Sequence, residues 1–144
     1  MKINPKRALT VAGFAAAFSM LALPLSAQQA KFNLPMEVHW GKAILPPGQY
    51  RLSIPSATTS PVGVMYIYGE GGAKMALPVM TDIRPESKHS YLRLIDVDGT
   101  YVVREFSSGI TGKSYLFGIP KDLRLRMTPA QEHDAATLVD VSGQ

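Results

Sequence analysis

From Phe32 onward, apolar and polar residues alternate with a period of two. Phe32, Leu34, Met36, Val38 and Trp40 take every second place, with Asn33, Pro35, Glu37, His39 and Gly41 between them. This pattern predicts a half-buried strand with one apolar face, on which Trp40 points inward while Glu37 and His39 point outward. Pro35 has no N–H for a ladder, so at least the first half of this strand is expected at a sheet edge. Ala43, Ile44 and Leu45 continue briefly. Pro46-Pro47-Gly48 then turns the chain: Pro47 presets φ and Gly48 can take a positive φ, which suits a type II turn. Beyond it Tyr50, Leu52 and Ile54 face one way, and Gln49, Arg51 and Ser53 the other.

The same reading carries on. Pro55 to Pro61 is a Ser/Thr loop, and Val62 to Tyr68 a strand with Val64, Tyr66 and Tyr68 on one face and Met65 and Ile67 on the other. Gly69-Glu70-Gly71-Gly72 turns the chain into Met75 to Met80, where Pro78 predicts another edge. Thr81 to His89 reads as a polar loop. Tyr91 to Val97 and Thr100 to Phe106 flank Asp98-Gly99, a strong hairpin signal. A two-residue loop there would set Arg93 opposite Arg104, an unfavourable pair, so a longer or bulged turn is also open. Ser114 to Ile119 is a strand ending at Pro120. Leu123, Leu125 and Met127 alternate with Arg124 and Arg126 as a strand would. Thr128-Pro129-Ala130-Gln131 opens a short helix, with Thr at N-cap, Pro at N1 and Gln at N3. Thr137 to Val141 returns to strand. About eight short strands and one short helix near the C-terminus predict an all-β fold, an antiparallel β-sandwich or small barrel.

The first 27 residues break the pattern. Lys2, Lys6 and Arg7 precede an uncharged apolar run from Ala8 to Leu25, and Pro24 and small residues follow. That is the layout of a signal peptide cut after Ala27 or Ala30, with an uncleaved membrane anchor as the alternative. The expected organisation is a leader over 1–27 and one β domain over 28–144. Exported, periplasmic or secreted, is the expected location, with no stable membrane insertion once the leader is cut. The chain has no Cys, which excludes disulfides and an N-terminal lipid-bearing Cys. The leader also changes the charge argument. The whole chain has a pI of about 9.4. Removing three of the fifteen Lys and Arg leaves twelve against eleven Asp and Glu. Arg124 and Arg126 make the densest basic pair, beside Asp122, so no nucleic-acid partner is implied.

Candidate chemistry is thin. SSGITGKS, Ser107 to Ser114, resembles a phosphate-binding loop, but Ser107 stands where the first Gly belongs and a strand follows instead of a helix. GEGGAK, Gly69 to Lys74, ends in Lys74 where a dinucleotide loop needs Gly. No G-x-S-x-G elbow is present. Three His residues leave a Ser-His-Asp arrangement open, with nothing to mark a nucleophile. Glu37 and His39 are the metal candidates, with His89 or Glu86 as further ligands; no H-x-H or H-x-x-x-H accompanies them. Met36, Met65, Met75, Met80 and Met127 read as core filler. Trp40, Tyr66, Tyr68, Tyr91, Tyr101 and Tyr115 either fill the core or offer a platform for sugar rings or an apolar ligand. Tyr66, Tyr68 and Tyr115 are the ligand-binding candidates. No catalytic or cofactor-binding residue is marked, and no cofactor is implied.

Phe32, Leu34, Pro35, Met36, Val38, Trp40 and Gly41, followed by Leu45, Pro46, Gly48 and Tyr50, resemble the opening of small exported bacterial β-domain proteins of unknown function. The resemblance spans Phe32 to Ile54 and implies a small β-domain. The LP-x-G-x-Y turn is also similar to turns in transthyretin-like and adhesin-type sandwiches and to the tyrosine corner of fibronectin-type domains. That likeness implies a Tyr50 ring packed under the turn, its hydroxyl bonded to a backbone carbonyl a few residues upstream. The expected function is a non-catalytic β-sandwich module of the bacterial envelope, a binding or structural protein. Its partner is unknown: an envelope protein, a glycan or an apolar ligand. A small secreted enzyme and a lipocalin-like carrier are the alternatives.

Overall fold

The computed structural model describes residues 28–54, 63–83, 88–133 and 137–143. The predicted leader, the Ser/Thr loop over 55–61 and Glu86 lie outside the described residues. The strands are β1 (Gln28–Leu34), β2 (Val38–Trp40), β3 (Ala43–Leu45), β4 (Gly48–Ile54), β5 (Met65–Gly69), β6 (Gly72–Ala76), β7 (Pro78–Ile83), β8 (Ser90–Val97), β9 (Thr100–Ser108), β10 (Lys113–Phe117) and β11 (Thr137–Gly143). Two short helices, α1 (Lys121–Arg124) and α2 (Pro129–His133), come before β11.

The ladder runs β6-β5-β4-β1-β11-β8-β9-β10-β7. Only Leu77 separates β6 from β7, so the stretch from Gly72 to Ile83 pairs first with β5 and then with β10. This strand change bends the sheet into a nearly closed barrel. The β2–β3 hairpin attaches at the start of β9, where Val38 and His39 run parallel to Tyr101 and Val102. Most residues predicted to face inward do so, but Met75 and Met80, read as core filler, are 56% and 62% exposed on β6 and β7, at the ends of the ladder. Phe32, Trp40, Tyr50, Phe106, Tyr115 and Phe117 are buried together, with Leu34, Leu52, Met65, Ile67, Leu92 and Leu94 among them. The Trp40 ring meets Phe117 edge-on at 5.1 Å and lies 5.9 Å from Phe32.

Thr81 to Ile83, read as the start of a loop, continue β7, and three larger expectations change. First, Phe32 to Gly41 is not one strand, and its first half is not an edge. β1 starts at Gln28 and is central, paired with β4 and β11. Pro35 ends β1, where its missing N–H costs no ladder bond, and the chain restarts as β2. Pro78 does mark an edge: it is the first residue of β7, which among the described residues pairs with β10 alone. Second, Leu123 to Met127 is not a strand. Pro120 opens α1, where Arg124 N–H bonds to the Pro120 carbonyl at 2.9 Å. Ile119, Leu123 and Met127 are spaced by four, a helical period, and cover Ile95, Val97 and Val102 on the outside of β8 and β9. Third, Gly48 takes a φ of 152°, far from the roughly 80° of a type II turn. It is already extended and paired with Leu34 as the first residue of β4.

The β8–β9 hairpin resolves its own charge conflict. Asp98 and Gly99 have φ of 52° and 83°, as a two-residue primed turn requires. A bulge then inserts Arg104, so Glu105 and not Arg104 faces Arg93. Arg93 and Glu105 form an ion pair at 3.2 Å, with Glu105 almost fully buried. The predicted helix start holds too. The Gln131 side chain accepts from the Thr128 N–H at 2.8 Å, the returning half of a capping box.

Leu123 is 2% exposed and Leu125 is 77% exposed. Leu123→Ala is therefore expected to cost about 2–5 kcal/mol in denaturant titration, whereas Leu125→Ala should stay within about 0.5 kcal/mol. Equal effects would contradict the helical seating of α1.

Candidate functional site

Three residues on the inner face of neighbouring strands set the geometry of the outer face. Tyr50 of β4 stacks on Phe32 of β1, with ring centroids 5.6 Å apart at 18°. Its hydroxyl donates to the Pro46 carbonyl at 2.7 Å, which is the predicted tyrosine corner. On the other side the ring lies against Gly69 of β5, where an added methyl would run into the Tyr50 ring. Gly69 is needed for this close approach, not for an unusual φ. Phe32, Tyr50 and Gly69 thus lock β1, β4 and β5 at one level.

Successive side chains of a strand point to opposite faces. The residues next to this inner row, Lys31, Arg51 and Tyr68, therefore form an outer row. Lys31 pairs with Arg51, and Arg51 with Tyr68. Ser142 of β11 extends the row beyond Lys31. A parallel row carries Gln29, Ser53, Tyr66 and Met75, and another Asn33 and Gln49. Neighbours within a row are about 4.8 Å apart, and rows roughly 7 Å apart. An open groove of about 1020 Å³ is lined by Lys31, Asn33, Gln49, Arg51, Tyr68 and Ser142 of this face, by the edges of Phe32, Tyr50 and Gly69, and by Glu70 and Asp140, with Tyr66 beyond its margin. Tyr66 and Tyr68 are 43% and 40% exposed, and their rings lie 6.5 Å apart at 33°.

The predicted ligand residues do not all meet. Tyr66 and Tyr68 stand side by side on the outer face. Tyr115 is inside the barrel, 8% exposed and stacked on Phe106 at 6.0 Å, and burial raises its phenol pKa. Tyr101 packs against the core from β9. Glu37 is exposed in the link before β2, and His39 is half-buried on β2, opposite Ile44 and beside Val102. Among the described residues, no group of three His, Asp or Glu is arranged to hold a metal ion. SSGITGKS closes a tight turn between antiparallel β9 and β10, with the Gly112 N–H on the Ser108 carbonyl at 2.9 Å. Its backbone serves a hairpin. Among the described residues no helix is long and apolar enough to cross a membrane. Lys31, Asn33, Gln49 and Arg51 escaped the sequence reading because alternation marks them only as outward-facing. Their grouping depends on β1 pairing with β4 and β4 with β5.

Comparisons with protein-family models, with curated proteins and with solved structures find no match.

Burial foremost, and then the negative charge of Glu70, raise the Tyr50 phenol above its ordinary 10.0. A folded-state value above the unfolded one gives stability that is full below pH 10 and drains away as pH rises through it. Tyr50→Phe is expected to cost about 1 kcal/mol at neutral pH, the net worth of one hydrogen bond. The gap to the wild type should narrow above pH 10, because the variant has no phenol to ionise. Denaturant titrations at both pH values check this, and no gap at neutral pH would remove the corner.

Proposed function

We propose that the protein is an exported, non-catalytic binding module of the bacterial envelope, and that the outer face of β1, β4 and β5 holds a carbohydrate chain. One observation carries the reading: the exposed Tyr66–Tyr68 pair, set on a rigid sheet beside Gln49, Asn33 and Ser53. A sugar ring has an apolar C–H face and a rim of hydroxyls. Tyrosine rings match the first, and amide, hydroxyl and carboxylate groups match the second. The rings stand on strands and not on loops, so little order has to be gained on binding. The carrier alternative is opposed by packing, because Trp40, Phe106, Tyr115 and Phe117 fill the space an internal ligand would need.

The test is binding of a soluble oligosaccharide panel by calorimetry. Tyr66→Ala and Tyr68→Ala are each expected to weaken the best ligand about fivefold, on the order of 1 kcal/mol per ring. Equal binding by the double variant, or no binding across the panel, would overturn the reading.

Export rests on the leader pattern, and the start of β1 supports one of its two cut sites. Gln28, Gln29 and Ala30 pair with Ile54, Ser53 and Leu52, and Ala30 is 3% exposed. A cut after Ala30 would remove these residues, so the cut is expected after Ala27. Intact mass of the protein recovered from the envelope checks this, with a chain beginning at Gln28 as the expected result and one beginning at Lys31 as the contrary one.

A further inference from the structure

Resting on the carbohydrate reading, we propose that the chain held on this face is acidic, with its carboxylates seated over Lys31 and Arg51. The two cations stand directly opposite each other on adjacent strands, on the same exposed face. Like charges directly opposite each other across a ladder destabilise the pair. Proteins relieve such a pair with a nearby carboxylate, and among the described residues neither cation has one within 4.0 Å. The contrast lies elsewhere in this sheet, where a bulge keeps Arg104 from facing Arg93 and brings in Glu105 instead. The repulsion between Lys31 and Arg51 is left standing, on the row that also carries Tyr68.

An anion bridging the two would remove that repulsion, and the Arg51 guanidinium can engage a carboxylate with two parallel N–H donors. The other charges facing the groove are Glu70 and Asp140. As acceptor-only groups they suit the hydroxyls of the same sugar and not its carboxylate. One row therefore supplies positive charge and a ring face, and the rims supply acceptors. A uronic acid residue carries the matching set: a C–H face, hydroxyl donors and a carboxylate.

The experiment titrates the full protein with uronate oligosaccharides, each beside its methyl ester, oligogalacturonate among them. The ester keeps every ring and hydroxyl and removes only the charge. The acid form is expected to bind about tenfold tighter than its ester, with an advantage that shrinks as salt is raised. The Lys31→Gln/Arg51→Gln double variant should bind acid and ester alike. Without ligand, its melting temperature should equal or exceed that of the wild type. An ester that binds as well as its acid, with the dependence on Tyr66 and Tyr68 intact, overturns the acidic ligand and leaves the carbohydrate reading standing. No binding by any acid or ester overturns both. A double variant that melts lower than the wild type assigns the cations to the fold and also overturns the proposal.

Discussion

The contact of the Tyr50 ring with Phe32 on one side and Gly69 on the other holds the rest of the site in place. It joins three strands at one level of the barrel and ties them to the Pro46 turn through a single hydroxyl. Because a strand exposes each next residue on its opposite face, fixing Phe32, Tyr50 and Gly69 inside fixes Lys31, Arg51 and Tyr68 outside. A slip of one residue in either ladder would turn the tyrosine rings inward and the core residues out. The stability of the inner row and the order of the outer row are thus one constraint seen from two sides.

The packed interior is why the proposed binding is placed on the surface. A barrel of this size can hold a ligand or fill itself with side chains. Here the bulky rings of Trp40, Phe106, Tyr115 and Phe117 converge, and Trp40 and Phe106 are fully buried. Charged groups are managed differently at two places on the outer face. The nearly buried Glu105 is given an arginine through a bulge, whereas the exposed Lys31 and Arg51 face each other with no carboxylate within 4.0 Å among the described residues. Under the proposed function, this difference in treatment leaves the Lys31 and Arg51 charges available to a ligand.

Much of the fold was legible in the sequence, and the misses have physical reasons. Alternation put Tyr66 and Ile67, and likewise Tyr50 and Arg51, on opposite faces and sent Trp40 inward, because half-buried antiparallel strands impose a period of two; which face of β5 is inside was left open. The tyrosine corner was legible because a Pro-Gly turn and a Tyr two residues on can meet locally. Pro35 misled because proline marks a strand's end as well as a sheet's edge, and only pairing order separates the two. α1 was hidden because Leu123, Leu125 and Met127 fit a strand while Ile119, Leu123 and Met127 fit a helix. Burial chose the second. The site itself was only half visible. Tyr66 and Tyr68 share one strand, but Lys31 and Arg51 reach them through ladders between segments far apart in the chain, and Tyr115 was grouped with them only by residue type.

The measurement that most directly tests whether the inner clamp displays a binding surface is chemical-shift mapping. Backbone amide spectra of the protein would be followed as an oligouronate is added. The account predicts that the largest shifts fall on Lys31, Gln49, Arg51, Tyr66 and Tyr68, with the amides of Phe106 and Tyr115 unmoved. Shifts centred on the barrel interior, or on β7 and the two helices, would contradict it.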